Sequence, residues 1–214
     1  MALRKRLFAL TYNRMMAGGE KAGLAEIRAK LLAQANGNVL EVGAGTGLNL
    51  PHYPDTVSML TATEPDASML RRLQRVASRA AKQVSVLRAP AEDLPFEDAT
   101  FDTVVATLVL CGVDDQPRAV REIRRVLKPG GRLLFVEHVR SDDAALARRQ
   151  DRMNWLNRIV VGCDCNRPTL RTIEQGRLTI GDLVRGDLPK SPSFVRPMIV
   201  GSATRSTDEL APQS

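Results

Sequence analysis

Short apolar runs alternate along this chain with segments whose apolar residues recur every three or four positions. Those two periods predict strands interleaved with helices. The spacing predicts a helix from about Glu20 to Gln34, with Leu24, Ile27, Leu31 and Leu32 on one stripe, broken at Asn36-Gly37-Asn38. Val39 to Val42 reads as a short strand running into glycines, Ser58 to Thr63 as a second that stops at Glu64-Pro65, and Val84 to Leu87 as a third. Between the last two, Asp66 is placed to cap a helix reaching about Ala81, with Met69, Leu70, Leu73, Val76 and Ala77 facing inward. Phe101 to Ala106 is a fourth strand. Asp114-Asp115 and Pro117 open a helix with Val120, Ile123 and Leu127 inward, and Lys128-Pro129-Gly130-Gly131 closes it before a fifth strand, Arg132 to His138.

A further helix is expected from Ser141 to about Asn157, carrying the only tryptophan, Trp155, and a short one around Thr169 to Gln175. The last apolar stretches, around Leu178 to Val184 and Met198 to Ala203, are joined by a segment containing Gly186, Pro189, Pro192 and Pro197. With no long helix between them they read as an antiparallel pair at one edge of the sheet. The whole pattern is α/β: a largely parallel sheet with helices on both faces. Met1 to Gly19 is basic and mildly amphipathic, and reads as a helix packed across the domain, a cap over a ligand or an interfacial helix. Residues 20–203 then form the main domain and 204–214 a polar tail.

Composition narrows this only modestly. At 214 residues the chain supports one good core, and 31 Lys and Arg against 24 Asp and Glu give +7, which permits an anionic partner without naming one. No apolar run approaches the roughly 20 residues of a spanning helix, and the N-terminus lacks a clear secretory cleavage site. Cys111, Cys163 and Cys165 make no disulfide framework, so a reducing, cytoplasmic setting is expected, with room for weak peripheral contact at an anionic membrane. Two sulfurs at the Cys163-Asp164-Cys165 spacing do not make a zinc site, so no metal is expected.

The main chemical signal is Glu41-Val42-Gly43-Ala44-Gly45-Thr46-Gly47 directly after a strand. Glycines let the chain turn sharply and approach a ligand closely, and in a doubly wound sheet that loop borders the ligand crevice. A dinucleotide fingerprint would need a third glycine where Leu48 stands, and an acid so near would not suit a pyrophosphate. An ammonium and a sulfonium would suit it. Glu64, after the second strand, is placed to accept hydrogen bonds from vicinal ribose hydroxyls. Ala91-Glu92-Asp93-Leu94-Pro95-Phe96 offers backbone to an adenine edge, or is simply a turn with buried Leu and Phe.

Taken in order, these motifs resemble the class I S-adenosylmethionine-dependent methyltransferases, of the UbiE-like kind. Phe101-Asp102-Thr103-Val104-Val105 is similar to the family's fourth-strand motif and Leu127-Lys128-Pro129-Gly130-Gly131 to its turn before strand five. The resemblance implies a Rossmann-like seven-stranded sheet with an antiparallel last strand, and S-adenosyl-L-methionine as cofactor. It assigns cofactor contacts to Glu41, Gly43, Ala44, Gly45, Gly47, Glu64, Pro65, Ala91, Glu92 and Thr107, with Glu41 serving the methionine ammonium directly or through water. Thr107-Leu108-Val109-Leu110-Cys111, Val136-Glu137-His138-Val139 and Gly162-Cys163-Asp164-Cys165-Asn166 resemble the methyltransferase-like 7 thiol methyltransferases. Met1 to Gly19 departs from the apolar membrane-anchoring N-terminus of those animal proteins.

For the methyl acceptor, a small molecule such as a thiol is expected, with a quinone or phospholipid as the alternative. A thiol of pKa about 8.5 needs little help to ionise. His138, at the end of the fifth strand, is the first candidate base, with Asp164 the weaker one. His138 equally suits a packing or supporting role, and Trp155 suits either a lid or plain packing. Nucleic acid is disfavoured, because the arginines spread over several helices and no Asn-Pro-Pro-Tyr-type motif follows the fourth strand. A noncatalytic cofactor-binding role also fits the motifs, as does either a monomer or a homodimer.

Overall fold

The structure is a computed structural model that describes residues 2–207, those up to residue 10 as backbone only. The part of the expected polar tail beyond 207 lies outside the described residues. Seven strands form one sheet in the order β3-β2-β1-β4-β5-β7-β6. They are β1 (Gly37–Val42), β2 (Val57–Thr63), β3 (Val84–Leu87), β4 (Phe101–Thr107), β5 (Leu127–His138), β6 (Leu178–Asp187) and β7 (Pro197–Arg205). β3, β2, β1, β4 and β5 pair in parallel, while β7 runs antiparallel to both β5 and β6. This is the Rossmann-like sheet with the antiparallel terminal pair that the pattern predicts.

The parallel strands alternate their side chains between two cores. Leu133 and Phe135 of β5 join Leu40, Val42, Val104 and Ala106 on one face, covered by Val120, Ile123 and Val126 of α4 (Gln116–Val126) and Ile173 of α6 (Thr169–Gln175). Leu134 and Val136 join Val39, Leu60, Ala62 and Val105 on the other. Leu31 and Leu32 of α2 (Ala25–Leu32) and Leu73 of α3 (Ala67–Ala77) cover that face. Asp102 stitches the seam between strands: it accepts from Asn38 N at 2.8 Å and binds Lys128 Nζ at 2.7 Å. Gly37 has φ of 68°, and a Cβ there would lie 2.5 Å from the Asp102 carboxylate, so any other residue here meets an unfavourable backbone and must displace Asp102 from its bonds.

Several boundaries differ from expectation for visible reasons. The N-terminal helix α1 (Ala2–Gly19) does not stop before the next one; a π-helical turn, Glu20–Leu24, with Gly23 at φ 125° links it to α2. α3 begins where Asp66 caps it, accepting from Ser68 N and Met69 N, but ends at Ala77, so Val76 emerges exposed instead of facing the core. The chain pairs again as soon as α4 ends, Leu127 beside Phe101, so Leu127 enters β5 instead of closing the helix stripe, and the Pro129-Gly130-Gly131 segment forms an irregularity in the ladder. α5 (Ala144–Val160) starts at the Asp143 cap and runs one turn further than expected. Among the described residues no helix is long and apolar enough to cross a membrane.

β1 sits where the strand order reverses, with β2 on one side and β4 on the other. Ligands of open α/β sheets bind at the carboxyl ends of the strands at such a point. The ends of β1, β2, β4 and β5 deliver Gly43, Glu64, Leu108 and His138 to one cavity of about 670 Å³, within the roughly 300–1,000 Å³ of small-molecule sites.

Candidate active site

The glycine loop leaves β1 in a left-handed course, with φ of 59° at Gly43 and Gly45 and 87° at Gly47. Ala44 N donates to Thr63 O at 2.9 Å, which ties the loop to the end of β2. The glycines divide by role. Gly43 and Gly45 line the cavity, and a Cβ on Gly45 would meet nothing within 4 Å, so this edge is open to a ligand. Gly47 instead packs against Leu73 and Leu50, and neither it nor the buried Ala44 lines the cavity.

Glu41 lies beneath the loop, buried, with both carboxylate oxygens engaged. Asn49 Nδ2 donates to one and the Tyr53 hydroxyl to the other, each at 2.9 Å. Burial pushes its pKa up to about 7 despite these donors. Asn49 Nδ2 also donates to Thr107 Oγ1 at 2.9 Å. Arg28, buried on α2, donates to Asn49 Oδ1 at 2.8 Å, to Thr107 Oγ1 at 3.0 Å and to Glu20 Oε1 at 3.1 Å. Glu41 and Thr107 are therefore held by a network behind the cavity wall and do not line it. The sequence reading missed Arg28 and Asn49. Arg28 carried a signal, since a charge four residues after Leu24 interrupts an apolar helix stripe.

Glu64 faces the cavity from the end of β2, and its carboxylate accepts from Gly45 N at 2.9 Å and Asp66 N at 2.8 Å. A carboxylate in this place is the kind of acceptor that vicinal hydroxyls bind. Pro65 is exposed, its carbonyl accepting from Arg88, and does not line the cavity. Nor do Ala91 and Glu92: Ala91 is buried in the core, and Glu92 accepts from Asp114 N at 2.8 Å beside the start of α4. Glu122 and Arg125 pin this loop, through Leu94 N, Leu94 O and Phe96 O.

The opposite wall assembles Cys111, His138 and Cys163 from three separate segments. His138 Nε2 and Cys163 Sγ are 3.2 Å apart, and the ligand atoms of the three residues lie within 4.8 Å of one another. Among the described residues, His138 Nδ1 is buried with no hydrogen-bond partner. Glu137 fixes the turn that carries Cys111, accepting from Val109 N and Leu110 N at 2.9 Å and from Cys111 N at 3.2 Å. Its carboxyl is pushed up to about 7 by burial. Leu108, at φ 58°, makes the sharp exit from β4. The Cys111 thiol as donor, with His138, draws the Cys163 pKa down, and the same contact raises that of Cys111. Burial opposes a charge on His138, but its neighbours Cys163 and Glu137 raise its pKa.

Asp164 does not suit the base role expected of it. Its carboxylate accepts from Arg167 Nη2 at 2.6 Å and Asn154 Nδ2 at 2.8 Å, is not on the cavity, and is held below its usual range by those donors against burial. Trp155 is 63% exposed and is not among the described residues that line the cavity; Ile159 and Val160, one turn on, line it instead. α1 lies over the opening: Tyr12, Met15 and Met16 line it, and the Thr46 hydroxyl donates to Asn13 Oδ1 at 2.6 Å.

The strand order and a glycine loop at the switch point define a Rossmann-like nucleotide-cofactor enzyme. Residues 40–135 match the family model described as "Methyltransferase domain". A phosphatidylethanolamine N-methyltransferase of Cereibacter sphaeroides is 34% identical over 155 residues, 69% of this chain and 76% of that protein. Human thiol S-methyltransferase TMT1B is 30% identical over 199 residues, 90% of this chain and 81% of that protein. A SAM-dependent methyltransferase structure from Thermotoga maritima superposes with a TM-score of 0.70, at 22% identity, covering 96% of this chain and all of that one. The chain belongs to the class I S-adenosylmethionine-dependent methyltransferases, and S-adenosylmethionine is its cofactor. The open edge at Gly45 and the buried, cavity-facing Glu64 fit that molecule. It methylates a small molecule.

Proposed function

We propose that the methyl acceptor is a small thiol or a similarly soft nucleophile, bound between the glycine wall and the Cys111–His138–Cys163 wall. The observation that carries this reading is an imidazole set among sulfurs in a mostly apolar end of the cavity. The cofactor brings a methyl already activated on a positive sulfur. The protein's part is to hold the acceptor in line, exclude water and take one proton. Gly43 and Gly45 receive the methionine portion, Glu64 the ribose hydroxyls, and Glu41 acts on the ammonium side through the network that shapes the loop. His138 contacts the acceptor S–H and takes its proton. α1 is the cap that keeps water out, and residues 20–203 are the catalytic domain. The thiol S-methyltransferase relatives agree with this acceptor class.

A second reading has its own observation. Met15, Ile159 and Val160 form an exposed apolar rim at the opening, which suits a quinone or lipid acceptor presented at a membrane surface. A phospholipid headgroup would want cationic partners, however, and Lys190 is the only Lys or Arg side chain among the described cavity residues. The test is product formation from labelled S-adenosylmethionine with an alkyl thiol, a phenol, a quinol and phosphatidylethanolamine vesicles. Thioether as the main product is expected. Turnover confined to the quinol or the vesicles would reject the thiol reading. His138→Asn should cut thiol turnover by roughly 100-fold or more while S-adenosylhomocysteine binds as before.

A further inference from the structure

The sequence gives no metal-binding spacing. Cys111 and His138 are 27 residues apart, and Cys163 follows after 25 more. Folding nevertheless brings these three soft or borderline ligands together from the turn after β4, the end of β5 and the loop after α5. Their ligand atoms all lie within 4.8 Å of one another. Zinc bonds of about 2.3 Å to sulfur and 2.0–2.1 Å to nitrogen place neighbouring ligands of one ion roughly 3.5–3.8 Å apart. The His138–Cys163 separation of 3.2 Å is a few tenths below that range, and the 4.8 Å limit within which all three ligand atoms lie is about 1 Å above it, so binding needs side-chain shifts of that order.

The supports behind the cluster hold its shape. Glu137 takes three successive backbone N–H groups and so fixes Cys111. Asn157 Nδ2 donates to the Cys163 carbonyl at 2.8 Å and approaches its sulfur at 3.5 Å. Cys111, His138 and Cys163 all line the cavity, so an ion has an entry path. By contrast, Cys165 is buried beside Asn154, away from the cavity, and takes no part.

We propose that Cys111, His138 and Cys163 form a binding site for a thiophilic divalent cation, of which zinc is the type, with its fourth position open to the cavity. Three protein ligands with an open position is the arrangement of reactive zinc sites rather than structural ones. Binding displaces two protons to solvent, one from the Cys111 thiol and one shared by the His138–Cys163 pair, and leaves two thiolates and a neutral imidazole on the ion, a site of zero net charge. It also occupies His138 Nε2. If the acceptor reading above holds, the cation and the acceptor's proton compete for that nitrogen, so bound zinc slows methyl transfer. The site itself does not rest on that reading.

The experiment uses the full chain, freed of metal and kept reduced, titrated with cobalt(II) as a spectroscopic stand-in for zinc. One equivalent should produce a near-ultraviolet sulfur-to-cobalt absorption that one equivalent of zinc abolishes. Cys111→Ser and Cys163→Ser should each lose most of that absorption and Cys165→Ser should keep it. S-adenosylhomocysteine calorimetry on each variant shows that the fold survives. No such absorption in the folded wild type, or an equal one in Cys111→Ser and Cys163→Ser, overturns the site. Methyl transfer to the alkyl thiol is then assayed with and without zinc. A loss restored by chelator supports the competition. Unchanged turnover with the absorption present overturns the shared nitrogen, and with it His138 as proton acceptor, while the cation site stands.

Discussion

At the residue scale, Glu64 shows how a carboxylate serves a fold and a ligand together. Gly45 N and Asp66 N orient it, so it reaches the cavity at no further ordering cost to the ligand. Hydrogen bonds to a charged group are worth about 1.5–3 kcal/mol each. Glu64→Ala should therefore weaken S-adenosylhomocysteine binding by roughly 10- to 100-fold in calorimetry; full affinity in the variant would remove the ribose assignment. Glu41 makes a pH prediction. Its native carboxyl keeps its proton up to about pH 7, whereas the unfolded chain releases it near 4.5. Between those values the native state binds more protons, so stability present below the lower pKa is lost as pH rises through the upper one. At about 1.4 kcal/mol per unit, this amounts to roughly 3 kcal/mol. Tm should fall between about pH 5 and pH 8 in wild type and fall less in Glu41→Gln; equal slopes would place the titration elsewhere. Glu41 and Glu64 were readable as acids at strand ends. Arg28 left only a break in a helix stripe that did not say what it binds, and Asn49 and the meeting of Cys111 with Cys163 left no signal, because each depends on contacts between segments that local periodicity does not relate.

At the element scale, the glycine loop separates two costs that one motif hides. A methyl group at Gly43 would stand 2.7 Å from Val109 and at positive φ, whereas at Gly45 only the φ is unfavourable. Left-handed backbone costs a non-glycine residue roughly 1–2 kcal/mol, and forcing Val109 aside adds about 1–3 kcal/mol. Gly43→Ala should lower stability markedly in urea titration. Gly45→Ala should cost only about 1 kcal/mol while still weakening S-adenosylhomocysteine binding, because its methyl enters ligand space. Equal destabilisation by both would mean that Val109 yields freely. The sequence showed each strand, and the Asp66 and Asp115 caps accept the backbone donors that a capping residue should. It misplaced the far ends. α3 stops at Ala77 and α5 runs on to Val160, because packing decides where a helix stops once its start is capped. The loop from Ala91 to Phe96 was open to two readings, and the structure lends weight to the turn: Arg125 and Glu122 hold it, and Phe96 packs edge-on to Phe101 with centroids 5.0 Å apart.

On the scale of the whole molecule, the parallel sheet supplies a rigid floor and the chain before it supplies the roof. Tyr12, Met15 and Met16 reach the cavity from α1, and the contact between Thr46 and Asn13 joins that roof to the glycine loop itself. Burial raises the Tyr12 pKa to about 12, so its ring contributes as a neutral wall. Beyond it the chain passes through Gly18 and Gly19, which carry no side chain, into the π-helical turn, where Gly23 stands at positive φ while Glu20 and the buried Leu24 anchor the chain to Arg28 and the core. On the cap reading proposed above, a ligand on the glycine loop contacts α1 and the floor together, so that ordering one orders the other. Saturating S-adenosylhomocysteine should slow backbone amide exchange over residues 11–19 along with the glycine loop at residues 43–47. Asn13→Ala should weaken that protection at 11–19 more than at the loop, because it cuts the link without touching the floor. Protection of the loop alone in the wild-type protein would show that α1 does not act as a cap, and would leave water exclusion to the Val160-to-Cys163 side of the cavity.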